Sequence, residues 1–140
     1  MKRTYDFNKE SGVATCRIYD KDNIFIGFAV CHDDDVDFMS EKTGLQIAEV
    51  RAEIDALKHI RDYEIIPALK ALKHLQDNMK TSKQYNPKSY EARMLRRQVC
   101  IKENELTAIR KEINRSQQFL TNYIEEKDKL YTKLRQAKNN

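Results

Sequence analysis

Glycine and proline are nearly missing from this chain: three glycines and two prolines in 140 residues, where an average sequence of this length carries about seventeen. So few chain-reversing residues exclude a loop-rich sandwich or propeller. They also leave little material for cradling phosphate by close backbone approach, and neither a Gly-rich phosphate loop nor a GxSxG elbow is present. Cysteine is scarce and odd in number. Cys16, Cys31 and Cys100 have no CxxC spacing, which disfavours a disulfide framework and a zinc site and leaves them as reduced thiols, small and buried. No run approaches the 18 or more apolar residues of a membrane span, and the first residues carry no apolar signal stretch, so a cytoplasmic protein without membrane contact is expected.

What the chain does have is charge. Charged residues make up 34% and hydrophobic ones 40%, a balance suited to long, solvent-laced helices. The net charge of +4 hides a division: residues 1–66 sum to −5 and residues 67–140 to +9. Such asymmetry suits an anionic partner for the basic half, or subunits that pair acidic end to basic end.

The first 32 residues alternate like strands. Ala14, Cys16 and Ile18 would share one face, and Ile24 to Val30 is apolar on both faces, as in a strand covered on both sides. Asp20-Lys21-Asp22-Asn23 supplies a hairpin loop, and Thr4 to Phe7 adds an edge strand. A meander this small needs cover from a helix or from a second copy of itself.

Helical periodicity follows the acidic run. Thr43-Gly44-Leu45-Gln46 matches a capping box, with Ser40 as a competing start. The first helix, residues 40–79, carries Ile47, Val50, Ile54, Leu57, Arg61, Ile65, Leu69, Leu72, Gln76 and Met79, with a 4-4 stutter across Arg61 and a kink near Pro67. Asn86-Pro87 reads as N-cap and first position of a second helix, residues 87–138. There Leu95, Val99, Lys102, Leu106, Ile109, Ile113, Ser116, Leu120, Tyr123, Lys127, Leu130 and Leu134 alternate in steps of 4 and 3, a coiled-coil or helical-hairpin seam.

Reversal near residue 83 would pair Leu72 with Leu95, Leu57 with Ile109 and Ile47 with Leu120. The second helix, about 75 Å against about 55 Å, would overhang and bring Tyr123, Leu130, Tyr131 and Leu134 to the sheet or to another subunit. The expected fold is α+β and mostly α: a single domain, residues 1–140, in which a small N-terminal antiparallel β-meander caps a long antiparallel helical hairpin, coiled-coil-like. Two helices make a thin core, so a homo-oligomer is expected.

Three constellations bear on chemistry. In Cys31-His32-Asp33-Asp34-Asp35-Val36-Asp37, His32 with Asp35 or Asp37 could hold a divalent metal. The plainer reading is an acidic linker ahead of a helix N-terminus, and the calcium-loop spacing fails. His59 and His74 are fifteen residues apart and lack the i, i+4 spacing of a helical metal pair. With no catalytic, cofactor or metal motif, the chain reads as a non-enzyme. The basic tip is more informative: Lys80, Lys83, Tyr85, Asn86, Ser89, Tyr90, Arg93 and Arg97, with Lys88 and Arg96 among them, combine phosphate-pairing cations, stacking aromatics and a helix N-terminus. They form a candidate site for an anionic nucleotide or nucleic acid, or else a solvated charged face.

On the residues from Cys31 to Gly44 and on Tyr85-Asn86-Pro87-Lys88-Ser89-Tyr90-Glu91, the chain resembles a group of small, functionally unassigned proteins encoded by tailed phages of Gram-positive bacteria. The resemblance implies an accessory protein in the host-cell cytoplasm that counters host defence by occupying a host protein, masking nucleic acid or sequestering a nucleotide signal. It assigns no binding residue. The alternatives are a DNA- or RNA-binding replication factor and a structural coiled-coil adaptor.

Overall fold

A computed structural model of the chain describes residues 1–30 and 40–139. It is mostly helical, with a three-stranded antiparallel sheet at the N-terminus followed by helices. The strands are β1 (Lys2–Asn8), β2 (Val13–Asp20) and β3 (Asn23–Val30), in the order β1-β2-β3. The helices are α1 (Glu41–Ile60), α2 (Ile66–Lys80) and α3 (Tyr90–Asn139), and a wide π-helical turn, Arg61–Ile65, joins the first two. The chain divides into two compact units, Met1–Ala56 with Asn114–Asn140, and Leu57–Ile113.

In the first unit the sheet register is set by its turns. The Asn8 side chain accepts from the Glu10 and Ser11 amides, and Gly12 closes the loop at φ 72° with its N–H on the Asn8 carbonyl, 2.9 Å away. Lys21 and Asp22 make the second reversal, with Lys21 at φ 54°, between the paired Asp20 and Asn23. Period-2 patterning then sends Ala14, Cys16 and Ile18 inward, all within 1% of full burial, beside Phe25 and Ala29.

Helix α1 covers that face with Ala48 and Ala52, both fully buried, flanked by Leu45, Ile47 and Ala56. The approach is close because β3 offers Gly27 at the crossing. A Cβ there would sit 2.0 Å from the Ala48 carbonyl oxygen and 2.5 Å from the Ala52 nitrogen, so no larger residue fits this backbone spacing. At the rim Arg3 pairs with Glu53 at 2.6 Å and Glu49 at 3.6 Å, and the Tyr5 hydroxyl donates to the Glu49 carboxylate.

Several expected details change. Ser40, not Thr43, caps α1: its Oγ accepts from the Thr43 N–H and its carbonyl from the Gly44 N–H. The break ahead of Pro67 is the π-helical turn, where the Ile66 N–H reaches back five residues to the Arg61 carbonyl. Across it Ile60 and Ile65 lie five apart and join one cluster. The seam therefore runs through Ile60, and Arg61 pairs with Asp62 at 2.8 Å. Ser89, not Asn86, caps the last helix, which starts at Tyr90.

In the second unit Ile65 is buried with Ile109 and Ile113, and Leu57, Ile60 and Leu106 pack against them. Lys73 pairs with Glu103 at 3.4 Å. Leu57, expected opposite Ile109, packs against the cluster that holds Ile109. Along α3 every expected seam position from Leu95 to Lys127 is buried or half-buried. Beyond Lys127 the pattern slips by one residue, to Tyr131 and Arg135, and leaves Leu130 and Leu134 exposed.

Candidate functional site

The basic cluster lies within the second unit, at the end of α2, along residues 81–89 and on the first turns of α3. Local hydrogen bonds give this connection a defined path. Thr81 Oγ1 donates to the Asn78 carbonyl at 2.7 Å, the Ser82 N–H reaches the Met79 carbonyl at 3.2 Å, and the Tyr85 N–H reaches the Ser82 carbonyl at 3.1 Å. Asn86 Oδ1 then accepts from the Lys88 N–H at 3.0 Å, an Asx turn that lifts Pro87 ahead of the helix.

Ser89 Oγ accepts from the Ala92 N–H at 3.2 Å, and the Ser89 carbonyl from the Arg93 N–H at 3.1 Å. Of the expected site residues, Asn86 and Ser89 thus spend an acceptor on structure and keep donors, the Asn86 amide and the Ser89 hydroxyl proton, for other partners. Arg96 is also committed, donating to the Pro87 carbonyl at 2.7 Å. Tyr85 is half-buried.

The others face solvent. Lys80, Lys83, Lys88, Arg93 and Arg97 are exposed, and Tyr90 is 65% exposed. Tyr90, Arg93 and Arg97 follow the 3-4 spacing that puts side chains on one helix face. Residues 80–99 hold six cations and a single carboxylate, Glu91. Among the described residues none of the six forms an ion pair, whereas Arg3, Arg61, Lys73 and Lys102 each have a carboxylate partner. Unpaired cations beside an exposed ring are the chemistry of phosphate pairing and base stacking.

No protein-family model, curated protein or solved structure matches the chain. The residues themselves therefore carry the functional reading.

In the first unit, sequence reasoning missed a half-open cavity of about 180 Å³ between the sheet, the start of α1 and the later part of α3. Phe7, Ile47, Ile124 and Tyr131 give it apolar walls, and Arg51 and Lys127 are at its polar side. Tyr131, expected at the sheet, at another subunit or at both, lines a cavity together with Ala29 and Val30 of β3. Arg51 donates to the Phe28 carbonyl at 2.7 Å, and Lys127 sits 5.3 Å from the centre of the Tyr123 ring. Segments this far apart in sequence give no local signal for such a cavity.

The acidic constellation with His32, Asp35 and Asp37 lies outside the described residues. Among the described residues no cluster of His, Cys, Asp and Glu could hold a metal ion, and no helix is long and apolar enough to cross a membrane. His59 stacks on Tyr63 with ring centres 4.7 Å apart, and His74 lies 3.3 Å from the Asn78 amide. Cys16 is buried as expected. Cys100 is exposed, because it lies one position past the buried Val99 and off the seam.

Proposed function

We propose that the protein is a non-enzymatic binding protein, an oligomeric helical scaffold whose cluster around Lys80, Lys83, Lys88, Arg93 and Arg97 engages the phosphates of a nucleotide or nucleic acid. The observation that carries this reading is the run of six cations and one carboxylate over residues 80–99, with no ion pair among the described residues and Tyr90 exposed beside it. Lys80, Lys83 and Lys88 supply point charges. Arg93 and Arg97 supply planar forks for phosphate oxygens, and Tyr90 offers a face on which a base stacks.

The scaffold is an antiparallel helical hairpin with a coiled-coil-like seam, a reading supported by the cluster of Ile65, Ile109 and Ile113 and by the Lys73–Glu103 pair. In the phage setting that the sequence resemblance implies, such a protein counters host defence by withholding a nucleotide signal or by covering an acidic patch on a host protein.

Titration calorimetry of the full chain against cyclic and linear nucleotides, single-stranded DNA and RNA tests the assignment. Lys83→Glu with Arg97→Glu is expected to weaken binding about 30-fold, at roughly 1 kcal/mol for each reversed charge. Binding left intact by that pair, or absent for every ligand, refutes it. Salt separates the ligand classes. A single-stranded polynucleotide engaging five cations loses three to four decades of affinity per decade of salt, on the order of 0.7 per phosphate, and a single nucleotide loses far less.

A further inference from the structure

Among the described residues, β3 keeps an exposed apolar row on the outer face of the sheet. Residues of β3 alternate, so Phe25, Gly27 and Ala29 meet α1 while Ile24, Ile26, Phe28 and Val30 point the other way, 54%, 40%, 52% and 69% exposed. This strand is an edge of the sheet. It carries no charged residue and no proline, the devices by which exposed edges are normally protected. Across the same face the register places Val13, Thr15, Arg17 and Tyr19 on β2, with Thr15 buried and the other three half-buried, and Lys2, Thr4, Asp6 and Asn8 on β1, so the exposed surface grades from apolar at β3 to polar at β1.

We propose that this face is the contact between two copies of the chain, with the two sheets stacked about a two-fold axis and the Ile24, Ile26, Phe28 and Val30 rows opposed. Area, charge and edge chemistry each favour a second copy. The four side chains expose roughly 400 Å² of apolar surface. Two copies together hide roughly 800 Å², and the polar side chains around them bring the contact to the roughly 1,000 Å² that a specific interface needs.

The graded face is self-complementary. Opposing the β3 rows leaves both β1 strands at a wet rim, where Asp6 balances the charge of Lys2. Stacking of faces is favoured over extension of the sheet edge to edge, because the Phe28 carbonyl is already taken by Arg51 at 2.7 Å. The inference deepens the oligomeric part of the proposed function and says nothing of the basic cluster.

Sedimentation equilibrium and native mass spectrometry of the full chain test it. The expected mass is twice the 16.6 kDa of one chain. Ile26→Lys with Phe28→Lys is expected to yield the single-chain mass with an unchanged far-ultraviolet spectrum and a dissociation constant raised at least 100-fold. Leu130→Lys with Leu134→Lys, on exposed positions of α3, is expected to leave the dimer intact. Should the lysine pair disturb folding, Ile24→Thr with Phe28→Thr keeps strand propensity and is expected to weaken the dimer in the same direction.

A single-chain mass for the unaltered protein at concentrations on the order of 100 µM overturns both this surface and the oligomeric reading. A dimer that survives the sheet substitutions but is lost on changing Leu130 and Leu134 overturns this surface alone.

Discussion

Replacing Gly27 with alanine puts a methyl group where α1 already is. The added Cβ falls 2.0 Å from the Ala48 oxygen, 2.5 Å from the Ala52 nitrogen and 3.1 Å from the Ala48 carbonyl carbon, against an ordinary contact of at least 3.4 Å. All three are backbone atoms, so no rotamer relieves the clash, and α1 must move off the sheet by more than 1 Å or β3 must bend. A gap of that size forfeits about a quarter to a half of the dispersion energy across the interface, which here holds the fully buried Ala14, Cys16, Ala48 and Ala52.

The cost is about 3 kcal/mol or more, at the upper end of overpacking, and the melting temperature should fall by about 10 °C or more. Thermal melts by circular dichroism read it. Two companions sharpen the assay. Gly44→Ala meets only side chains, Ala14 Cβ at 3.1 Å and Phe7 Cε2 at 3.8 Å, and gains helix propensity, so it should stay within about 1 kcal/mol of the parent. Gly27→Ala with Ala48→Gly should not recover stability, since removing the Ala48 methyl leaves the obstructing backbone in place. Melting of Gly27→Ala within about 2 °C of the parent, or rescue by Ala48→Gly, would refute the close approach.

Two further outcomes follow from the same unit. The Tyr5 hydroxyl is pushed above its ordinary value, first by its hydrogen bond to the Glu49 carboxylate and then by burial, and burial pushes the Cys16 thiol up as well. In both cases the protonated form is the folded one, so this stability is complete below the unfolded values and is lost as pH rises through the folded ones. Urea midpoints should therefore decline above about pH 9. Tyr5→Phe should cost at most about 1 kcal/mol at neutral pH, since Tyr5 is half exposed, and should flatten the decline without abolishing it; an unchanged alkaline slope would count against the Tyr5–Glu49 contact. Thiol labelling of the native chain should modify Cys100 rapidly and Cys16 only on unfolding, and equal rates would contradict the burial of Cys16.

The periodic parts of the fold were legible in the sequence because large apolar side chains mark them. Ala14, Cys16 and Ile18 declare a strand face by alternation, and the seam from Leu95 to Lys127 is buried or half-buried at every expected position. The sheet-facing side of α1 was not legible. Its contact residues are Ala48 and Ala52 against Gly27, and small residues serve a close approach by what they omit, which hydrophobic patterning cannot register. Cap positions were ambiguous for a related reason. Ser40 and Thr43, or Asn86 and Ser89, have equivalent local chemistry, and the backbone path decides which hydroxyl or amide meets a free N–H.

Around Arg61 the sequence offered a 4-4 spacing, and a helix of constant pitch made Arg61 part of the seam. The wide turn substitutes a step of five residues from Ile60 to Ile65. For the basic cluster, composition located the residues, while hydrogen bonding separated Arg96, committed to Pro87, from Arg93 and Arg97, which remain available.

The π-helical turn also sets where this part of the chain can change length. Within an ordinary helix, losing or gaining one residue rotates everything beyond it by about 100° and turns a buried face to water. Between Arg61 and Glu64 the helix already carries one residue more than its ladder of hydrogen bonds requires. Deleting one there closes the turn to regular pitch and leaves Ile60 and Ile65 on the same side, now four apart. Along α1 and α2, this is the stretch where a single-residue deletion keeps the faces on either side in phase.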